Sequence, residues 1–271
     1  TALDIAWPTE PMVDREVVVQ NPEELINGYF ESNTTLRVNV DLNELTIDAD
    51  DVVIAPAQGV RIQTLRILRG RERLRFEGGS YGKVIFEPPH ILVTDDGGFM
   101  ADGMIEDVLF DSVVVDDGSP AMAVRGRRVA VLHSYLSSNS MAFFVGDTTP
   151  IPSTDIIVAD SVLESAGSGS TLVLNQVERS VVVDSWITNP VSFGYVVSGE
   201  SDMTFARENV LLGGGASIGD WPGSDVGRGW FLANRIYHTA QLFGFDPDQI
   251  EELHLAANTI YSDRVTCAWC S

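Results

Sequence analysis

Lysine is almost missing from this 271-residue chain: Lys83 stands alone beside sixteen arginines. Cations are scarce as a class, 17 against 39 carboxylates, which leaves a formal net charge of −22. That balance argues against nucleic acid and anionic membrane surfaces, both of which need clustered positive charge. Neutral polymers, cations and proteins remain as partners. No apolar run approaches the roughly 18 residues that would span a bilayer, so no membrane span is expected. Cysteine is limited to Cys267 and Cys270. A C-x-x-C pair suits a redox couple, half of a metal site or a local disulfide. The disulfide is the expectation here, and it requires an oxidising compartment. No signal peptide is visible and the first residue is Thr1, which fits a mature or trimmed form.

What the chain does have is a repeat. A phrase of apolar, any, small or acidic, Ser or Asn, any, aliphatic recurs seven times, at Ser112, Ser134, Ser161, Ser185, Asn209, Asn234 and Asn258. The steps are 22, 27, 24, 24, 25 and 24 residues. A period in this range indicates stacked units, none of which can bury its apolar face alone. Within the coil from Ser134 to Ser161, three strands are expected, over 135–137, 141–145 and 156–159. Parallel strands without intervening helices demand a solenoid. The Ser/Asn column then has a physical role, because short polar side chains at an inward bend can satisfy each other and nearby backbone along the axis.

The amino-terminal part reads differently. Arg15–Gln20 is strand-like. Asn21, Pro22 and Glu24 carry the signature of a capped helix ending at Gly28, suited to plugging one end of a stack. The expected division is residues 1–30 as segment and capping helix, 31–265 as β-helix and 266–271 as tail. Between Gly79 and Ser112 about nine extra residues are inserted, placed at 88–103.

This layout, with Val17–Leu25 resembling an amphipathic cap and the coils carrying the V-x-I-x-x-N-x-I cadence, resembles the pectate-lyase-like superfamily over about residues 17–262. The resemblance implies an all-β fold, a single-stranded right-handed parallel β-helix with a short amino-terminal capping helix. It is weak for activity, since that superfamily holds lyases, hydrolases, esterases, epimerases and non-catalytic adhesins or phage spikes.

In such enzymes the substrate lies along one sheet. The equivalent strands would include 122–125, 141–145 and 171–175, with Ala123, Arg125, Phe143, Val145, Val173 and Asn175 facing outward. Proton abstraction needs a base and a cation to stabilise the resulting anion. The candidate site is therefore the edge near the insertion. Asp95, Asp96, Asp102, Asp116 and Asp117 would hold Ca²⁺. Arg125, Arg127 and His133 are the candidate catalytic groups, with an arginine as base as the lyase resemblance implies. Arg128, Phe143 and Asn175 are the candidate substrate contacts. The competing reading is that Asp-Asp-Gly, at Asp95 and at Asp116, is turn chemistry. His133 occupies a place where other coils carry Asp111, Asp160, Asp184 and Glu208, which suits a structural histidine equally well.

Two surface features complete the expectations. Arg61, Arg66, Arg69, Arg71, Arg73 and Arg75 form a stripe, read as cross-strand partners of acidic residues. Residues two and four before the ladder, such as Ala130, Ile157, Phe205 and Trp230, give one outer face an apolar character that needs a cover: residues 1–14, loops or a second copy of the chain. The function expected is a secreted or surface β-helix that binds or processes a glycan, a lyase or epimerase relative acting on an acidic polymer. The alternative is a non-catalytic adhesin or structural solenoid, a homo-oligomer through its apolar face.

Overall fold

The computed structural model describes residues 4–25, 31–93, 99–146, 151–219, 224–238 and 243–262. These residues wind into a right-handed parallel β-helix. One wall is an eleven-stranded sheet that starts at Arg15–Val19 and ends at Ile250–Ala256, each strand pairing in parallel with its equivalent one coil on. The second sheet has sixteen strands. In early coils its strands are long, as at Arg61–Ile67 and Ser80–Phe86. Ser80–Phe86 then pairs with two shorter strands of the next coil, Val114–Val115 and Met122–Val124. From there every coil has three strands, one in the first sheet and two in separate rows of the second. The coil after Ser134 follows the expected order, with strands at Tyr135–Ser138, Phe143–Val145 and Ser153–Ala159.

Strand alternation sends every second side chain inward. Val129 and Val131 are fully buried, as are their partners Ile156 and Val158 on the next coil. Rings stack in the same register: Phe76 and Phe110 lie 4.6 Å apart with planes 10° from parallel.

The polar column is present inside the cylinder. Asn209 donates from Nδ2 to Asn234 Oδ1 at 3.0 Å, and Asn234 does the same to Asn258 at 3.2 Å. Each amide oxygen also accepts a backbone N–H from the coil before, as Asn234 Oδ1 does from Asn209. The serines continue the column with single bonds: Ser161 Oγ accepts from the Ser134 N–H and donates to the Ala159 carbonyl. One member of the expected series is misplaced. Ser112 is exposed and aligns with His133, while Val113, 1% exposed, fills the column and donates its N–H to Ser134 Oγ. The phrase at Ser112 is shifted by one residue, so its serine falls on the solvent side of the bend.

The amino-terminal cap is smaller than expected. Asn21 and Glu24 make the anticipated capping bonds. Yet the helical element is only a 3₁₀ turn, Pro22–Leu25, with no buried residue. Gly28 lies outside the described residues.

The early and middle coils of the apolar outer face have a cover, the segment before Arg15, while Phe205 and Trp230 lie beyond its last contact at Asp155 and are half-buried. Ile5, Pro8 and Pro11 are half-buried while the residues between them are exposed, a three-residue period. The amides that follow each of them donate to the wall: Ala6 to Asp155, Thr9 to Asp107 and Met12 to Asp51, at 3.2, 2.9 and 3.0 Å. The three acceptors lie on alternate coils. Three residues of an extended, polyproline-like segment advance about 9 Å, and two coils at strand spacing advance roughly 9.6 Å, so the periods match. At this level Ala130 and Ile157 are buried on the outer face, at 0% and 2% exposure.

Between the acceptor coils stand arginines. Arg73 grips Asp51, Arg128 grips Asp107 and Arg179 grips Asp155, each by Nε and Nη2 to the two carboxylate oxygens. These six residues share one column of left-handed backbone, with φ between 52° and 64°. That region is tolerated by Asp. The arginines are held there by the paired carboxylates. A fourth pair follows, Asp202 with Arg228, but it is closed differently. Asp202 Oδ1 accepts the backbone N–H of Arg228 itself at 2.7 Å, in the place where the other carboxylates take a strap amide.

Candidate functional site

The insertion is an antiparallel hairpin, His90–Val93 with Phe99–Asp102. Asp102 lies at its base opposite His90 and is exposed. Arg69 joins the hairpin to the coil by bonding Glu87 at 2.7 Å and contacting His90. Asp95 and Asp96 lie outside the described residues, as do Cys267 and Cys270.

The other expected site residues are spread over different rows. Asp116 is bound by Arg61 at 2.6 Å and Asp117 by the Gln63 amide at 2.5 Å, on the outer face of the second sheet. Both carboxylates are thus taken by side chains of an earlier coil. Among the described residues, no three of His, Cys, Asp and Glu are grouped as a metal ion would require. Asp102, Asp116 and Asp117, the described members of the expected Ca²⁺ set, do not by themselves form such a group.

Arg127 and Arg128 belong to the first sheet. Arg128 is held by Asp107 and by Glu106 at 2.6 Å, and Arg127 approaches Glu106 at 3.4 Å. Burial pushes the Asp107 carboxyl up, but the Arg128 guanidinium and the Thr9 amide outweigh it and hold it below its ordinary value. Arg128, the expected substrate contact, is correspondingly fixed in its charged form by Asp107. His133 is exposed and bonds Asp111 through Nδ1 at 2.9 Å, which raises its pKa. Along the same bend, burial, Glu208 and Asp160 together push Asp184 up.

The expected groove strands carry a different face. Arg125 and Asn175 do share one register column, two coils apart, with Gly146 between them. Arg125 reaches the Gly146 carbonyl at 3.4 Å and Asn175 accepts from Ser198 Oγ at 3.3 Å. Phe143 is not a surface contact. It and Val145 are fully buried in the core, and the outward residue is Phe144. The loop before this strand breaks the alternation count, and a one-residue slip reverses every side chain. Farther along, the outward Val173, Val196 and Ser217 are also fully buried, so the face expected to bind substrate is occupied by the protein's own residues.

The arginine stripe behaves as cross-strand chemistry predicts. Arg61, Arg66, Arg69, Arg73 and Arg75 pair with Asp116, Glu44, Glu87, Asp51 and Glu10. Arg71 lies 3.7 Å from Asp50.

The open surface is the outer face of the row that follows the Ser/Asn column. Trp186 is 51% exposed, with valines as its neighbours on the adjoining coils, Val162 and Val210. Tyr237 and Tyr261 are 39% and 54% exposed and stack with centroids 4.7 Å apart. Glu164, Thr188 and Leu212 lie in the Tyr237 column. Glu164 accepts the Tyr135 hydroxyl at 2.6 Å. Sequence reasoning missed this face. Its signal was available one and three residues after each Ser or Asn of the column, at Ser185 for Trp186 and at Asn234 and Asn258 for the tyrosines.

No family model matches the sequence, and no curated protein matches it. Among solved structures, the Dettilon tailspike protein is similar with a TM-score of 0.53 at 12% identity, over 88% of this chain. The chain spans 56% of that protein's length. PfbA, a surface adhesin of Streptococcus pneumoniae, is similar with a TM-score of 0.52 at 9% identity, over 86% of this chain and 72% of the adhesin. At these identities the likeness is one of fold.

Proposed function

We propose that this protein is a non-catalytic glycan-binding β-helix that works outside the cell, with the glycan lying along the face of Trp186, Tyr237 and Tyr261. The observation that carries this reading is the exposure of those three rings beside hydroxyl-bearing and charged side chains on one straight face. Aromatic rings with a polar handle suit a ligand that is apolar on its C–H faces and hydroxylated at its edges. The net charge of −22 disfavours a polyanion, so the polymer is neutral or amino-substituted rather than acidic. Arg127, an expected base, and Arg128, an expected substrate contact, are committed to Glu106 and Asp107, which supports binding over elimination chemistry. The fold neighbours, by name a tailspike and a surface adhesin, are in keeping with a recognition role.

The test is a panel of neutral and acidic polysaccharides, scored for binding and for release of unsaturated or reducing products. Binding without turnover is expected, with Trp186→Ala lowering affinity about tenfold while leaving unfolding unchanged. Product release, or binding that ignores both Trp186→Ala and Tyr237→Ala, would overturn the proposal.

A further inference from the structure

The segment from residue 4 to residue 12 is held to the wall chiefly through its main chain. Its amides at Ala6, Thr9 and Met12 meet three carboxylates whose side chains are only 6%, 6% and 7% exposed. Each carboxylate is oriented beforehand by a two-pronged arginine from the next coil, so the acceptors stand in place whether or not a strap is present. Pro8, Pro11 and Ile5 lean on the wall one residue before each donor. Glu10 adds a bond to Arg75 at 2.8 Å. Recognition of this kind asks little of sequence. It asks for an extended backbone, an apolar or proline side chain at every third position, and a free N–H directly after it.

The site also has defined ends. Beyond Asp155 and Arg179 the left-handed position is taken by Met203, which offers no acceptor. The Asp202–Arg228 pair is closed by Arg228's own amide. At the other end, Asp14 and Arg15 donate to the Asn33 carbonyl and lead into the first strand. Among the described residues the wall therefore takes three donors spaced three residues apart.

We propose that the Asp51, Asp107 and Asp155 wall is a binding site for extended polypeptide, occupied in cis by residues 4–12 and open to a second chain of the same pattern when that strap is displaced. The nearest such chain is the amino-terminal segment of another copy of this protein, and exchange of the two would link copies without any new interface.

The experiment uses the full chain with Ala6→Pro, Thr9→Pro and Met12→Pro together. Proline keeps an extended backbone but removes the N–H, so the strap loses its three bonds and the wall is untouched. The probe is a fluorescently labelled synthetic peptide of residues 4–14, followed by anisotropy. The triple variant should bind it saturably and at least about tenfold more tightly than the native chain, whose own strap competes. Asp107→Asn added to the triple variant should return the signal to background. A folded triple variant that does not bind the peptide, or binds it equally after Asp107→Asn, overturns the proposal. If the triple variant does not fold, native-state hydrogen exchange of the unaltered chain decides. The Ala6, Thr9 and Met12 amides should exchange far faster than those of Asn209 and Asn234, as a displaceable strap requires; equal protection overturns the proposal.

Discussion

The two halves of this solenoid are tied together from opposite sides. Up to Arg179, successive coils are joined outside the cylinder, by aspartate–arginine pairs roofed by an extended strap. From Asn209 onward they are joined chiefly inside it, by a run of amides, with one last outer pair, Asp202 and Arg228, that carries no strap. The serines of the earlier coils carry a thinner version of the inner device, one hydroxyl per coil. An amide both donates and accepts, so each asparagine can bond its successor and a backbone group at once. A hydroxyl offers a single proton, and the early coils add their strength elsewhere. Stacked parallel coils can be locked at any bend, and which bend is used depends on which side chain falls there.

The sharpest way to break this contrast is at Asn234. It is fully buried and bonds Ala206, Asn209 and Asn258. Asn234→Ala leaves several buried partners unsatisfied and should cost about 3 kcal/mol or more in denaturant unfolding. A loss below about 1 kcal/mol would show that the inner column is ornamental. The outer device is weaker because its arginines remain partly in water. Asp107→Ala, which leaves the 29% exposed Arg128 with Glu106 alone, should cost about 2 kcal/mol once solvent screening is allowed for. It should also strip protection from the Thr9 amide while leaving Asn234 protected.

Acid separates the halves with the smallest global effect. The Asp51 carboxyl is held below its ordinary value of 3.8, first by Arg73. At Asp155, burial pushes upward but Arg179 and the Ala6 amide prevail. Groups whose folded pKa is depressed contribute fully above the unfolded value and lose that contribution as pH falls through the folded one. Below about pH 3.8 the strap amides should therefore lose protection, while the asparagine column, which has nothing to titrate, keeps its own. Hydrogen exchange at pH 6 and pH 3 measures both; parallel loss in the two halves would refute the distinction.

The inner device was legible in the sequence because it repeats one residue type at one spacing. Asn209, Asn234 and Asn258 stand where expected, and only Ser112 was read one place out. The outer device was not legible as a unit. Each aspartate and arginine precedes an inward residue by one position, at Val52, Leu74, Val108, Val129, Ile156 and Ser180, but the two residue types alternate and the coil lengths differ, so no period in the sequence exposes them. The arginine stripe was read correctly as paired because opposite charges at strand spacing seek each other. The candidate site is dispersed for a related reason. Arg125 is close in sequence to Arg127 and Arg128 but falls on a different row of the cylinder, and proximity along the chain is poor evidence for proximity across a bend.

The strap has one more implication, for the order of events at the ribosome. Ala6 finds its acceptor 149 residues downstream, and that carboxylate needs Arg179 on the following coil to orient it. At ordinary translation speeds the strap waits roughly ten to thirty seconds for its seat to exist. During that interval the growing wall shows bare apolar side chains at Ala130 and Ile157, so the nascent wall is at its stickiest until Arg179 has been added and is sealed by a segment made well before it.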